Sequence, residues 1–342
     1  MAEITRYEID MLDVKAADAF LIHAFVKQPS GSEYEYVVLV DAGNEGDGEK
    51  ILNHIQKYYT QQYIDLAIIT HCDADHYGGM KYLIDKHNER KAFSIKEVWV
   101  HDPYVHVDVD DVKYIRKKET LRDRLDAAYA FSDGSNLLGM LDDSNINRRE
   151  VFSGDSCDVL KINVLGPDKE YYESLIPEFR VDLDFKEDQP DDEYGQSVRS
   201  FQSKEQFFSE ALEDAHDDRS QVNQSSIIFS FCPNDKVFLF TGDAGKDALG
   251  RIIKNNQGLK GIEWLKVPHH GSKHNLNNAI ISHLQPKISF ISTEKYQKYA
   301  NKCTVNALKK VGDVYSTHSD RANLCYQEGT DDRVGYTKAV PM

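Results

Sequence analysis

Paired cysteines, long apolar runs and an excess of basic residues are all missing from this chain, and each absence removes a class of protein. Five cysteines (Cys72, Cys157, Cys232, Cys303 and Cys325) stand at wide spacings with no CxxC pair. That pattern supports neither a disulfide framework nor a zinc knuckle, and a cytoplasmic, reducing compartment is expected. No stretch approaches the roughly 18 continuous apolar residues of a membrane-spanning helix. Met1 to Asp10 carries acidic side chains early and lacks the apolar centre of a signal peptide, so the mature chain is expected to start at or near Met1.

Lysine and arginine number 41 against 57 aspartates and glutamates, a net charge of −16. Such a balance disfavours holding nucleic acid by phosphate neutralisation alone. The charge is uneven, however. Asp168–Asp218 holds 17 acidic and 5 basic residues, three quarters of the whole excess. The remainder is only mildly acidic, and polyanionic substrates stay open. With 342 residues, 40% hydrophobic and 29% charged, the chain is long and apolar enough to bury a substantial core.

Strands are expected at Tyr7–Val14, Ala19–Phe25, Tyr34–Val40, Tyr63–Thr70 and Ile95–His101, with helices at Lys50–Tyr59 and Met80–His87. Asp111–Phe131 reads as a charged amphipathic helix, Ser132–Arg149 as a polar loop or short helix, and Phe201–Ala215 as another helix. Ser226–Cys232 and Val237–Phe240 flank Pro233-Asn234-Asp235, a hairpin signal. Strand and helix then alternate to the end of the chain. The fold class is α/β, with functional groups just past strand ends.

The segment Thr70-His71-Cys72-Asp73-Ala74-Asp75-His76-Tyr77-Gly78-Gly79 places four metal-binding side chains within six residues, directly after a buried strand. Imidazole and carboxylate together suit zinc, manganese or iron. A plain alternative is that Asp73 or Asp75 caps the next helix, but a cap explains one aspartate and neither histidine. Two further strands end in candidate ligands, at Thr241-Gly242-Asp243 and Pro268-His269-His270-Gly271-Ser272. Gly78-Gly79 is expected to permit a tight helix entry, and Cys72 to point away by alternation. His101, Asp102, His106, Asp108 and Asp110 read as a solvated loop.

These motifs resemble the metallo-β-lactamase superfamily, whose signature is HxHxDH, and within it the hydrolase domain of the ComEC/Rec2 DNA-uptake proteins. Leu12-Asp13-Val14 with Asp18-Ala19, Leu39-Val40-Asp41-Ala42-Gly43, Val164-Leu165-Gly166-Pro167, Asn223-Gln224-Ser225-Ser226 and Val314-Tyr315-Ser316-Thr317 follow that group's landmarks in order. The resemblance implies an αββα four-layer sandwich, with residues 1–342 as one domain and 168–218 as an acidic insertion or lid. Lys15-Ala16-Ala17 replaces the group's Gly-Gln-Gly, so that turn is expected to differ.

The resemblance also implies two divalent metal ions, zinc ahead of manganese. His71 and Asp73 would hold the first. Asp75, His76 and one of His269 and His270, with His270 favoured, would hold the second, and Asp243 would bridge. Asn223 and Ser225 stand where the superfamily's third histidine is expected, so the first site is ligand-poor. Asp75 and His269 are the catalytic candidates, Asn223, Ser225 and Ser272 the substrate-binding ones, and Asp41 a support for the metal loop. The implied activity is phosphodiester hydrolysis of nucleic acid or a nucleotide, using water whose pKa falls from about 15.7 to about 7 on a metal. Two alternatives remain open: hydrolysis of an ester, lactone or thioester on the same scaffold, and a non-catalytic metal-binding regulatory module. The acidic stretch is a candidate protein-docking surface.

Overall fold

In the computed structural model the described residues are 3–89, 93–108, 113–114, 119–179, 212–294, 300–320, 322–333 and 339–342. Strands β1 (Glu3–Met11), β2 (Ala19–Lys27), β3 (Glu33–Ala42), β4 (Tyr63–Ile68) and β5 (Ser94–Trp99) build the first sheet. A two-stranded pair, β6 (Lys113–Tyr114) and β7 (Glu119–Thr120), precedes the edge strand β8 (Asn147–Arg149). The second sheet holds β9 (Ser156–Cys157), β10 (Ile162–Gly166), β11 (Ile228–Phe231), β12 (Phe238–Phe240), β13 (Trp264–Lys266), β14 (Ile288–Ile291) and β15 (Asp313–Ser316). The last strand, β16 (Leu324–Glu328), returns to the first sheet and pairs with β1.

The sheet orders are β16-β1-β2-β3-β4-β5-β8 and β15-β14-β13-β12-β11-β10-β9. Each sheet is antiparallel on one side and parallel on the other, the parallel runs being β3-β4-β5-β8 and β12-β13-β14-β15. Parallel strands need crossovers, and helices supply them. Gly48–Tyr58 presents Ile51, Leu52 and Ile55 to the first sheet, the i, i+1, i+4 face of an amphipathic helix. Lys246–Asn255 presents Leu249 and Ile252 to the second. The result is the αββα sandwich expected.

Between the sheets lies an aromatic core. Tyr7 meets Phe231 edge-on at 5.5 Å, and Phe20 meets Phe240 at 5.9 Å and Trp264 at 6.1 Å, all across the two sheets. Each fully buried ring contributes about 1.5–3 kcal/mol, so this interior fixes the two sheets face to face and with them the strand ends that carry the site.

Two expectations change, and a third gains its physical reason. Asp111–Phe131 is not one helix: among its described residues the helix is Leu121–Leu125. Thr120 accepts from Asp123 N–H while the Asp123 side chain accepts from Thr120 N–H, a capping box that marks a helix start in the middle of the expected one. Of the cluster expected as a solvated loop, the side chains of His101, Asp102 and His106 are largely buried, Asp108 is exposed as expected, and Asp110 lies outside the described residues. His101 bonds the Val151 carbonyl at 2.8 Å and stacks on Phe152, and His106 lies between Glu150 and Glu173. Gly78 and Gly79 are right-handed; what they supply is space. A Cβ on Gly79 would stand 2.1 Å from the Ala42 carbonyl, and one on Gly78 2.4 Å from Glu45 N.

The ends of the acidic stretch are built into the sandwich, with Tyr171, Tyr172, Leu175, Phe179 and Leu212 buried. Its centre, residues 180–211, and most of the helix expected at Phe201–Ala215 lie outside the described residues.

Candidate metal centre

Backbone bonds between loops assemble the site before any side chain is considered. Ile227 N–H donates to the Thr70 carbonyl at 2.9 Å, joining the second sheet to the first. Asp18 N–H donates to the Asp75 carbonyl at 3.1 Å, and Gly43 N–H to the Asp18 carbonyl at 2.7 Å, so the β1–β2 loop is laced to the ends of β3 and β4. Several of these loop residues are left-handed without being glycine: Lys15 (φ 66°), Asp41 (φ 55°), His269 (φ 46°) and His270 (φ 52°). Such conformations cost of order 1 kcal/mol or more each and gather where the surroundings over-determine them.

Asp41, at the end of β3, organises the first-sheet side. Its Oδ1 accepts from Thr70 N–H at 2.8 Å, and its Oδ2 accepts from Thr70 Oγ1 at 2.9 Å and faces His76 Nδ1 at 2.8 Å. A donating Nδ1–H on His76 leaves the lone pair on Nε2, the tautomer a cation needs. His71 is held similarly, with Nδ1 3.0 Å from Thr70 Oγ1 and 3.4 Å from Ser226 Oγ. Among the described residues, the Nε2 atoms of His71 and His76 are buried with no hydrogen-bond partner.

From the second sheet, Gly242 (φ 49°) turns Asp243 inward after β12, and β13 ends at Lys266 ahead of the histidine pair. His76 Nε2 stands 3.4 Å from Asp243 Oδ2, and His270 Nε2 stands 3.3 Å from Asp75 Oδ2 and 4.0 Å from Asp243 Oδ2. Ligand atoms of His71, His76 and Asp243 lie within 4.8 Å of one another, and so do those of Asp75, His76 and His270. Asp73 reaches His71 at 3.5 Å. It occupies the N-cap position of the short helix Ala74–Tyr77 without a side-chain capping bond, and the N-cap of the next helix, Met80–Asn88, is Gly79, so neither Asp73 nor Asp75 caps that helix. Cys72 is buried in the outer core.

Asn223, Ser225 and Ser272 have other partners. Asn223 Nδ2 donates to Asp218 at 2.9 Å, and Ser225 Oγ donates to the Val222 carbonyl at 2.6 Å. Ser272 Oγ accepts from His274 N–H at 3.2 Å. It is Ser226, one residue on, that faces His71 and accepts from Asp243 N–H at 3.1 Å.

His269 diverges from its neighbour. Its Nδ1 lies 3.0 Å from Asp218 Oδ2, its backbone N–H donates to Asp243 Oδ1 at 3.1 Å, and its side chain is 22% exposed where that of His270 is 2%. His270 joins a ligand set and His269 does not.

Two charged residues escaped the sequence reading. Lys266 is fully buried. Its ammonium contacts Asp18, donates to Asp243 Oδ1 at 3.1 Å and donates to the Gly242 carbonyl at 2.6 Å. One oxygen of Asp243 is thereby occupied and Oδ2 is left to the histidines. Asp18 lies 3.8 Å from His76 Nδ1 and 3.7 Å from His270 Nδ1, behind both rings.

Burial disfavours charge at His76, yet Asp243, Asp41 and Asp75 outweigh it and hold its pKa well above the ordinary imidazole value. Burial likewise works against the Asp243 carboxylate, but His76 and Lys266 pull its pKa well below the usual range. His269, lowered by burial and raised more strongly by Asp243 and Asp218, is pushed up to about 9. The centre concentrates negative charge around imidazoles. Buried ring nitrogens beside carboxylate oxygens are a donor set that fits a divalent cation.

Among known proteins, the chain is 30% identical over 129 residues to ComE operon protein 3 of Bacillus subtilis (strain 168), a match covering 36% of this chain and 16% of that relative. The chain thus spans well under two thirds of that relative's length. Solved structures similar to it include the metallo-beta-lactamase fold protein YhfI from Bacillus subtilis (10% identity, TM-score 0.47, covering 95% of this chain and 100% of that one). A long form RNase Z from yeast is similar at 10% identity and a TM-score of 0.38, over 87% of this chain and 39% of that one. Residues 32–125, which carry β3, β4 and the His71–His76 segment, match the metallo-beta-lactamase superfamily model.

Proposed function

We propose that this chain is a metal-dependent phosphodiesterase acting on a nucleic acid or a nucleotide. One observation carries the reading: loops from both sheets bring His71, His76 and Asp243, and Asp75, His76 and His270, each within 4.8 Å. In this proposal Asp75, His76 and His270 would hold one divalent ion, zinc ahead of manganese, and His71, Asp73 and Asp243 are the further ligands for a second. Bound there, such an ion would polarise a phosphoryl oxygen and lower the pKa of water enough to give a nucleophile near neutral pH.

The protein's own groups then divide the work. Asp41 and Thr70 hold His76 and His71 with Nε2 inward. Lys266 neutralises the charge that Asp18 and Asp243 would otherwise bury unpaired. Asp75 orients the incoming water, and His269 contacts the substrate from the solvent side. Among the site's side chains, the partly exposed ones are Asp73, Asp75 and His269, all polar. A polar mouth with an imidazole on its wall suits a phosphodiester better than an apolar acyl group. The test is turnover of bis-p-nitrophenyl phosphate, single-stranded DNA and cyclic dinucleotides with added Mn²⁺ or Zn²⁺, beside a panel of esters, lactones and thioesters. Hydrolysis confined to phosphodiesters supports the reading. Inactivity on all of them with metal bound rejects it.

A further inference from the structure

Asp218 closes the acidic stretch in sequence, but the fold turns it inward. Four donors converge on its carboxylate. Ser220 N–H reaches Oδ1 at 2.9 Å, while Asn223 Nδ2 and Asn275 Nδ2, each at 2.9 Å, and His269 Nδ1 at 3.0 Å meet Oδ2. Ser220 in turn caps the short helix Gln221–Gln224 by accepting from Asn223 N–H at 3.2 Å, which fixes the asparagine that grips Asp218.

The segment around Asp218 is fastened to the second-sheet side of the site. Asp218 N–H donates to the His274 carbonyl at 3.2 Å, Lys246 Nζ to the Ala215 carbonyl at 2.8 Å, and Asn278 N–H to Glu213 Oε1 at 2.6 Å. His269 is therefore clamped at two points, its backbone by Asp243 and its Nδ1 by Asp218. Its ring is the site imidazole that reaches solvent, and Nε2 is the ring nitrogen on the far side from the clamped Nδ1.

We propose that Asp218 is a positioning residue, which holds the His269 ring on the solvent-side wall of the metal centre so that Nε2 meets the phosphoryl group of a bound substrate. The proposal rests on the phosphodiesterase reading. Asn223 and Asn275 then act through Asp218, and the acidic stretch contributes one residue to the machinery at its C-terminal end.

The experiment is a double-mutant cycle with Asp218→Ala, His269→Ala and the pair, each loaded with Mn²⁺ and assayed on bis-p-nitrophenyl phosphate. Asp218→Asn joins as a variant of nearly unchanged volume in case the alanine misfolds. Asp218→Ala is expected to lower kcat by about 10- to 100-fold, with KM little changed and metal content equal to that of the unaltered chain. The double variant is expected to be no slower than His269→Ala alone, because contacts that act through one another are not additive. Unchanged kcat in both Asp218 variants, or a loss that multiplies fully in the His269→Ala background, overturns the proposal. A chain inactive on every phosphodiester removes the reading beneath it instead. The ring ¹⁵N shifts of histidine-labelled protein then decide the positioning without turnover, since they report which nitrogen carries hydrogen. His269 shifts that move on Asp218→Ala support it, and shifts that stay unchanged overturn it.

Discussion

His76 Nδ1 lies 2.8 Å from Asp41 Oδ2, and the same ring carries Nε2 to within 3.4 Å of Asp243 Oδ2 on the opposite sheet. The contact ties a β-strand end to a nitrogen of a candidate ligand set, since Asp41 also accepts from Thr70 N–H and from Thr70 Oγ1. Replacing Asp41 by asparagine puts a donor or a weaker acceptor against the imidazole. We expect the Asp41→Asn variant to fold and to bind its divalent ion about 10- to 100-fold more weakly. Competition with a metal-chelating dye reads this directly.

The histidine pair separates on the same logic. His270 Nε2 faces Asp75 and Asp243 and its Nδ1 lies 3.1 Å from the Ser292 carbonyl, whereas His269 Nδ1 turns to Asp218. His270→Ala should lose metal on desalting, and His269→Ala should keep it while losing turnover. Elemental analysis of the two variants side by side checks the assignment, and the reverse pattern would exchange their roles.

Lys266 is a buried ammonium between two buried carboxylates. Lys266→Met keeps most of the volume and removes the charge, leaving Asp18 and Asp243 facing each other unneutralised. Removing one member of such a group costs about 3–5 kcal/mol. Urea unfolding of chelator-treated protein should show a loss of that size, and a variant as stable as the unaltered chain would contradict the role.

Stability should also depend on pH through a histidine away from the metal centre. Burial pushes the His101 pKa down to about 4, against the hydrogen bond its ring donates to the Val151 carbonyl. Below the ordinary imidazole pKa of about 6.5 the unfolded chain binds a proton that the folded chain refuses. Stability from this group is therefore complete above about pH 6.5 and declines as the pH falls toward 4, by about 3 kcal/mol in all at 1.36 kcal/mol per unit. His101→Phe removes the titrating group. The difference in unfolding free energy between the two proteins should shift by that amount from pH 7 to pH 4, and a difference constant with pH would refute it.

The motif-bearing part of the candidate site was legible because its candidate ligands cluster or follow a strand. His71, Asp73, Asp75 and His76 fall within six residues, and Asp243 and His270 each follow a short apolar run. Lys266 was not legible. It is a strand residue whose partners Asp18 and Asp243 lie far off in sequence, and a lysine in Trp264-Leu265-Lys266-Val267 gives no sign of burial. Asp218 was hidden differently, as one acidic residue among 17 in a charge run. Asn223 and Ser225 drew attention by their place in a familiar motif, but their bonds go to Asp218 and Val222. In the fold, strand and helix alternation read well where apolar periodicity was clean. It failed at Asp111–Phe131, where the helical pattern hid the Thr120–Asp123 capping box.

The proposal has the imidazoles and carboxylates of three separated segments grip a cation together. Elemental analysis of purified protein, equilibrated with Mn²⁺ or Zn²⁺ and then desalted, tests it most directly when paired with His76→Ala, the residue shared by both ligand sets. A stoichiometric divalent ion in the unaltered chain, absent from a His76→Ala variant with the same circular dichroism spectrum, is the predicted result. No stoichiometric metal in the unaltered chain, or full retention in the variant, would contradict it.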